Sequence, residues 1–272
     1  MKTIRLNPSG KDVACDVGDT VLAALERAGY ALPNNCRAGA CGECKCKVVQ
    51  GEFDQGLIMD MALSEEERAN GYGLMCMAKP TSDVLEIEFG TVDAMPKLFP
   101  PRENILCVVT DKIPRTPTIT EVRIMPLGDP IRFWPGQYVT LGSKSEGIPE
   151  RCYSIANIPN RQSEIILHIT RVADGQTSTW VHDNVSVGDK LYINGPYGTF
   201  IGDPSLDTPV LCLASGSGLA PISSLAQAAF LRGGFKKPAT VLYSAKTQAD
   251  VYDAGLFAYM KVKFRKFDFK YT

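Results

Sequence analysis

The chain has no run of eighteen apolar residues, which excludes an ordinary membrane-spanning helix. Its first residues, Met1-Lys-Thr-Ile-Arg-Leu6, lack a secretory h-region, so a cytoplasmic protein is expected. No interleaving of basic and aromatic residues marks a nucleic-acid surface. An even cysteine count is missing too. The nine cysteines, at least three of them crowded into one loop, argue against a disulfide framework and for a metal centre in a reducing compartment. The dinucleotide fingerprint G-x-G-x-x-G is also absent.

What is present is ordinary globular material. With 272 residues and 44% hydrophobic content, the chain is too long for one small core, and two or three domains are expected. The net charge of −1 hides an asymmetry, because residues 1–95 carry −6 and the remainder +5. Solvated faces explain such a split. So does an acidic module that docks on basic partners, its own neighbour among them.

The densest chemistry lies in Cys36-Arg-Ala-Gly-Ala-Cys41-Gly-Glu-Cys44. Cys76 completes a C-x4-C-x2-C…C pattern, the plant-type spacing for a [2Fe-2S] cluster. Gly39 and Gly42 permit positive φ, which lets amide N–H groups turn toward the sulfurs. A four-cysteine zinc site is the competing reading, but zinc ribbons usually show two C-x2-C pairs and here there is one.

In chain order, residues 2–8 and 11–15 alternate like a hairpin turned at Pro8-Ser9-Gly10. Asp19 or Thr20 can cap a helix through Val21, Leu22, Leu25 and Ala28 that ends at Gly29. Residues 45–50 and 84–89 read as strands and Ser64-Glu-Glu-Glu67 as a capped short helix. Cys46, Cys15, Cys107 and Cys212 sit in strand-like runs and read as packing residues. After the proline-rich connector at 96–103 come strands at 104–110, 119–125, 137–141, 152–156, 165–171 and 190–193, the pattern of a small antiparallel barrel. From 209 the period changes to strand 209–214, helix 219–231, strand 239–243, helix 250–259 and strand 267–271. That is the first half of a doubly wound α/β domain, and it would leave one edge of a parallel sheet bare.

Three further constellations stand out. Arg151-Cys-Tyr153-Ser154 offers a diphosphate ligand, a stacking ring and a hydroxyl, although a surface arginine beside a core tyrosine reads equally well. Gly175-Gln-Thr177-Ser178 opens a helix whose free amides favour phosphate. Ser215-Gly216-Ser217-Gly218-Leu-Ala-Pro221 is a small-residue turn at a strand-to-helix junction that suits a pyrophosphate.

In this order the motifs resemble the iron–sulfur flavoprotein reductase components of bacterial multicomponent (ring-hydroxylating) oxygenases, along the whole chain. The resemblance implies a multidomain protein. A β-grasp ferredoxin domain (1–95) is followed by a linker (96–103), an antiparallel β-barrel flavin domain (104–205) and a partial α/β nucleotide domain (206–272). It implies Cys36, Cys41, Cys44 and Cys76 as cluster ligands and Arg151, Tyr153 and Ser154 as the flavin motif, with Tyr153 and Ser154 at the ring. His168, Ile169 and Thr170 would line the flavin, Gly175, Thr177 and Ser178 its phosphate, and Gly216, Ser217, Gly218 and Pro221 the nicotinamide dinucleotide. The implied function is an enzyme passing electrons from NADH through FAD and a [2Fe-2S] cluster to a terminal oxygenase or an intermediate ferredoxin, in aromatic hydrocarbon catabolism. The contacts would be transient and electrostatic. NADH is preferred to NADPH because Lys246 is the lone basic residue after the second α/β strand. A deoxysugar dehydrase as acceptor, and an iron–sulfur carrier or sensor without NADH turnover, remain alternatives. Family members continue with a Cys-Gly-x-Pro segment and a C-terminal aromatic, which this chain lacks; truncation is the favoured explanation.

Overall fold

The computed structural model describes residues 1–272 except Pro204, which falls inside the expected 104–205 domain. The chain folds as two compact units, Met1–Pro101 and Arg102–Thr272.

The first unit is built on a five-stranded mixed sheet. β1 (Lys2–Asn7) and β2 (Lys11–Cys15) form the expected hairpin, followed by helix α1 (Val21–Arg27). Then come β3 (Lys45–Gln50), the short β4 (Phe53–Asp54), α2 (Glu65–Ala69), β5 (Tyr72–Leu74), β6 (Lys79–Pro80) and β7 (Val84–Glu88). The sheet order is β2-β1-β7-β3-β5, with β1 and β7 parallel, which is the β-grasp arrangement. Alternation along β1 turns Ile4 and Leu6 inward, where Leu22 and Leu25 of α1 pack on them with Leu74, Leu85 and Ile87. Thr20 is the residue that caps α1, accepting the Ala23 amide at 3.3 Å. A capping box between Ser64 and Glu67 starts α2 as expected. Gly29 ends α1 at φ 80°, and its carbonyl accepts the amides of Lys97 and Leu98. A side chain at Gly29 would meet the Leu98 carbonyl oxygen at 2.8 Å, so the start of the proline-rich connector is pinned against this unit.

The second unit opens with a barrel of β8 (Arg102–Pro114), β9 (Ile119–Pro126), β10 (Tyr138–Ser143), β11 (Ile148–Ser154), β12 (Ile165–Thr170) and β13 (Lys190–Tyr197), with helix α3 (Gln176–Asp183) between the last two. The sheet order is β11-β10-β13-β8-β9-β12. A bridge between Ile155 and Leu167 and the Ala156 amide on the Ile166 carbonyl at 2.8 Å bring the first and last strands together at a seam. Inward residues such as Val122, Ile124, Leu141, Leu167 and Ile169 fill the interior, and Trp180 and Val181 of α3 pack into it.

The α/β segment follows as β14 (Val210–Ser215), α4 (Leu219–Gln227), β15 (Ala239–Ser244), α5 (Ala254–Lys263) and β16 (Phe267–Tyr271). Its three strands are parallel in the order β14-β15-β16. Leu219, Ile222, Phe257 and Met260 cover one face. On the other face Leu211 and Leu213 are exposed, and β14 is an edge strand, as a single mononucleotide-type half requires. Helix α5 begins later than the expected residue 250. Asp250 is spent closing a capping box back onto Thr247, and Asp253 sits at φ 56°, a left-handed residue that interrupts the helical path.

Leu167 is fully buried at the barrel seam. Leu167→Ala is expected to cost about 2–5 kcal/mol in the second unit. Urea unfolding followed by the near-ultraviolet signal of Trp134 and Trp180 checks this, while cluster absorbance reports the first unit and should not move.

Candidate functional site

The cysteine loop is shaped by backbone before sulfur. Arg37, Gly39 and Gly42 take φ of 53°, 67° and 77°. A Cβ at Gly39 would meet Ile58 Cγ2 at 2.9 Å, and one at Gly42 would meet the Ala62 carbonyl oxygen at 3.1 Å. The tight path turns amides inward, so that Cys36 Sγ accepts from Ala38 and Ala40 at 3.4 and 3.3 Å. Burial pushes the Cys36 thiol up, but these amides and a bond from the Cys41 thiol outweigh it and hold Cys36 below its ordinary value. The bond donated by the Cys44 thiol brings Cys76 down to about 6, against its own burial and with help from the Gly39 amide, while the same contact pushes Cys44 up. The Cys76 amide returns a bond to Cys44 Sγ at 3.4 Å.

The four thiols thus stand as two pairs, Cys36 with Cys41 and Cys44 with Cys76. Among the described residues no three His, Cys, Asp or Glu side chains meet closely enough for one ion. Two thiolates for each of two irons is what a [2Fe-2S] centre needs, so the donor set and its amide cradle fit that group. Beneath the loop, Arg37 donates to Glu26 of α1 at 2.6 Å. Glu26 is buried, which raises its carboxyl, and the guanidinium opposes that rise. Cys46 lies in the core of this unit, where burial pushes its thiol up to about 12.

In the second unit Arg151, Tyr153 and Ser154 lie at the end of β11, opposite Leu141, Val139 and Tyr138 of β10. Tyr153 leans on the barrel core, where burial pushes its hydroxyl up to about 12 against the pull of Arg151. Arg151 is exposed, with Nη1 on the Glu150 carbonyl. Ser154 is half-buried beside the seam. Gly175 stands at the N-cap of α3, and the Thr177 hydroxyl donates to the Pro149 carbonyl, tying this helix start to β11. The Ser178 hydroxyl is occupied within its own loop, accepting from the Val172 amide and donating to the Gly175 carbonyl.

The strand His168–Thr170 divides its side chains. Ile169 points into the barrel core. Thr170 Oγ1 donates to Ser217 Oγ at 2.7 Å, and His168 Nδ1 pairs with the Tyr252 hydroxyl at 3.2 Å. That hydroxyl also reaches the Gly216 carbonyl at 3.3 Å. Strand β12 and the small-residue turn are therefore tied at two points. The turn itself is open, since a Cβ at Gly216 or Gly218 would meet nothing within 4 Å, and Pro221 sits in the first turn of α4 where no amide is needed.

Sequence reasoning passed over the residues behind that tie. Glu121 on β9 is buried against His168 Nε2 at 3.5 Å, Arg123 at 2.7 Å and Arg115 at 3.5 Å, and Arg115 also pairs with Asp253, the neighbour of Tyr252. A carboxylate in a largely apolar strand, on the face opposite Val122 and Ile124, was the available signal. Burial raises Glu121, but His168, Arg123 and Arg115 overcome it and bring the carboxyl down to about 2.

Two outcomes follow from this geometry. Gly39→Ala is expected to lose most cluster loading, read as iron per chain and visible absorbance. Glu121 has a folded value below its ordinary 4.5, so its contribution is complete above about pH 4.5 and fades as pH falls toward 2. Glu121→Gln should flatten the acid limb of stability by on the order of 2 kcal/mol, measured by urea midpoints between pH 6 and 3.

Comparison with known proteins finds a matching domain in each unit. A 2Fe-2S iron-sulfur cluster binding domain matches residues 4–81 and an oxidoreductase FAD-binding domain matches residues 115–201. The reductase subunit of an aromatic O-demethylase from an Amycolatopsis species is 34% identical over 260 residues, covering 94% of this chain and 76% of that protein. The reductase component of phenol 2-monooxygenase from a Pseudomonas species is 34% identical over 269 residues, covering 98% and 74%. Among solved structures, an Amycolatopsis cytochrome P450 reductase superposes with a TM-score of 0.87 at 32% identity, covering 100% of this chain and 80% of that one. With two cofactor modules in this order, and relatives matched along nearly its whole length, the chain belongs to the iron–sulfur flavoprotein reductases of oxygenase systems, enzymes that use NADH, FAD and a [2Fe-2S] cluster.

Proposed function

We propose that this chain takes electrons from NADH at the seam between β11 and β12 and delivers them singly from Cys36, Cys41, Cys44 and Cys76 to a terminal oxygenase or an intermediate ferredoxin. Bound FAD would accept the nicotinamide hydride as an electron pair and release single electrons to the cluster, a conversion that belongs to the cofactors. Tyr153 supplies a face for the flavin ring and Ser154 a hydroxyl at its edge. Arg151 and the amides of Thr177 and Ser178 hold its phosphates. Gly216, Ser217, Gly218 and Pro221 leave room for the nicotinamide dinucleotide, and His168 and Thr170 fix that turn in place. The hydrogen bond from Thr170 to Ser217 carries this reading, because it sets the nucleotide turn beside the flavin strand.

The three larger sheets support a division into a ferredoxin domain at 1–95, a linker at 96–103, a flavin domain at 104–205 and a nucleotide domain from 206. The net charge of −6 on residues 1–95 supports transient docking on a basic acceptor. None of the nine cysteines is joined in a disulfide, which suits the reducing cytoplasm, and among the described residues no helix is long and apolar enough to cross a membrane.

Anaerobic titration with NADH is expected to bleach the flavin and then the cluster; flavin and cluster absorbance that ignore NADH would refute the assignment. In stopped flow, Ser154→Ala should slow flavin reduction by about tenfold, the scale of one lost hydrogen bond at the reacting ring, with little change in flavin affinity.

A further inference from the structure

Residues 56–62 form a strap over the cluster loop. The Met59 amide donates to the Gly39 carbonyl at 2.9 Å, and Ile58 and Ala62 turn inward, Ile58 against Gly39 and Ala62 against Gly42. The alternate residues turn outward. Leu57 is 90% exposed, Met59 56% and Met61 87%, three large apolar side chains in five residues. Such a cluster beside a reactive site is costly to leave in water and marks an interaction surface. Two of the three are methionines, whose flexible thioethers adapt to more than one partner surface. Exposed carboxylates of Glu43, Asp54, Asp60, Glu65 and Glu66 lie on the same segments, and Cys41 is itself exposed.

We infer that Leu57, Met59 and Met61 form the apolar centre of the docking surface through which the cluster passes electrons to its protein acceptor, whose own electron-entry site is apolar with a Lys/Arg rim. The inference rests on the proposed function and adds the surface that serves it. The charge pattern favours such an acceptor, since the carboxylates complement a basic rim and repel an anionic membrane. The apolar centre favours an external partner over the tethered flavin module. A tethered partner is held at high effective concentration and needs no sticky centre, whereas a separate protein must gain its brief affinity from a few buried apolar side chains.

Cytochrome c serves as the probe, a soluble haem protein with an exposed apolar haem edge among lysines. Each NADH oxidised supplies two electrons and reduces two ferric haems to ferrous. The double variant Leu57→Ser/Met61→Ser and the milder Leu57→Ala are compared with wild type by visible absorbance, NADH-driven cluster reduction in stopped flow, and steady-state reduction of cytochrome c and of ferricyanide. The expected result is a KM for cytochrome c raised about tenfold in the double variant and a few-fold in Leu57→Ala, persisting at high salt. Cluster reduction by NADH and ferricyanide turnover should stay at wild-type rates. An unchanged KM for cytochrome c overturns the inference, as does slowed internal cluster reduction, which would give the patch to the flavin module. A wild type that dissociates from a dimer on Leu57→Ser/Met61→Ser would give it to a second copy and overturn it as well. Failure of wild type to reduce its cluster with NADH would instead sink the underlying function.

Discussion

A carboxylate buried inside an apolar strand is costly unless its charge is met, and Glu121 imposes that condition on the whole second unit. Its partners come from different places: Arg123 from the same strand, Arg115 from the β8–β9 turn and His168 from β12. Arg115 passes the contact on to Asp253, and His168 passes it to Tyr252, so both routes arrive at the start of α5. Tyr252 then holds Gly216, in the small-residue turn before α4. The position of that turn against the barrel is thus specified by directional polar contacts. Apolar packing alone tolerates sliding, whereas a satisfied polar network has one good arrangement.

The first unit uses the same device. Glu26 is buried on α1 and answered by Arg37, a residue held at left-handed φ within the cysteine loop. In both units an acid anchored on regular structure immobilises a loop that carries no regular structure of its own. Rigid placement of this kind is what electron and hydride transfer require of a protein that leaves the redox chemistry to its cofactors.

Much of this was legible in the sequence because it is local. The cysteine spacing, the capping box at Ser64, the hairpin at Pro8-Ser9-Gly10 and the change from period two to alternating strands and helices all reflect near-neighbour physics. The parts that were not legible are long-range pairs. Glu121 and Tyr252 are 131 positions apart and share no motif, and only the closing of β9 on β12 brings His168 between them. The expected start of α5 failed for a related reason: Asp250 is a good capping residue, but it caps its own short turn, and Asp253 is held by Arg115 from the barrel. His168 and Thr170 do fall on a strand, as expected, yet which neighbour their side chains address depends on how the α/β segment is seated.

The free side of β14 has consequences beyond catalysis. A parallel edge strand with unpaired backbone groups, flanked by exposed Leu211 and Leu213, is a template for adding another strand. Whatever polypeptide reaches it, whether more of the same protein or a neighbouring molecule, can complete the ladder and cover the leucines together.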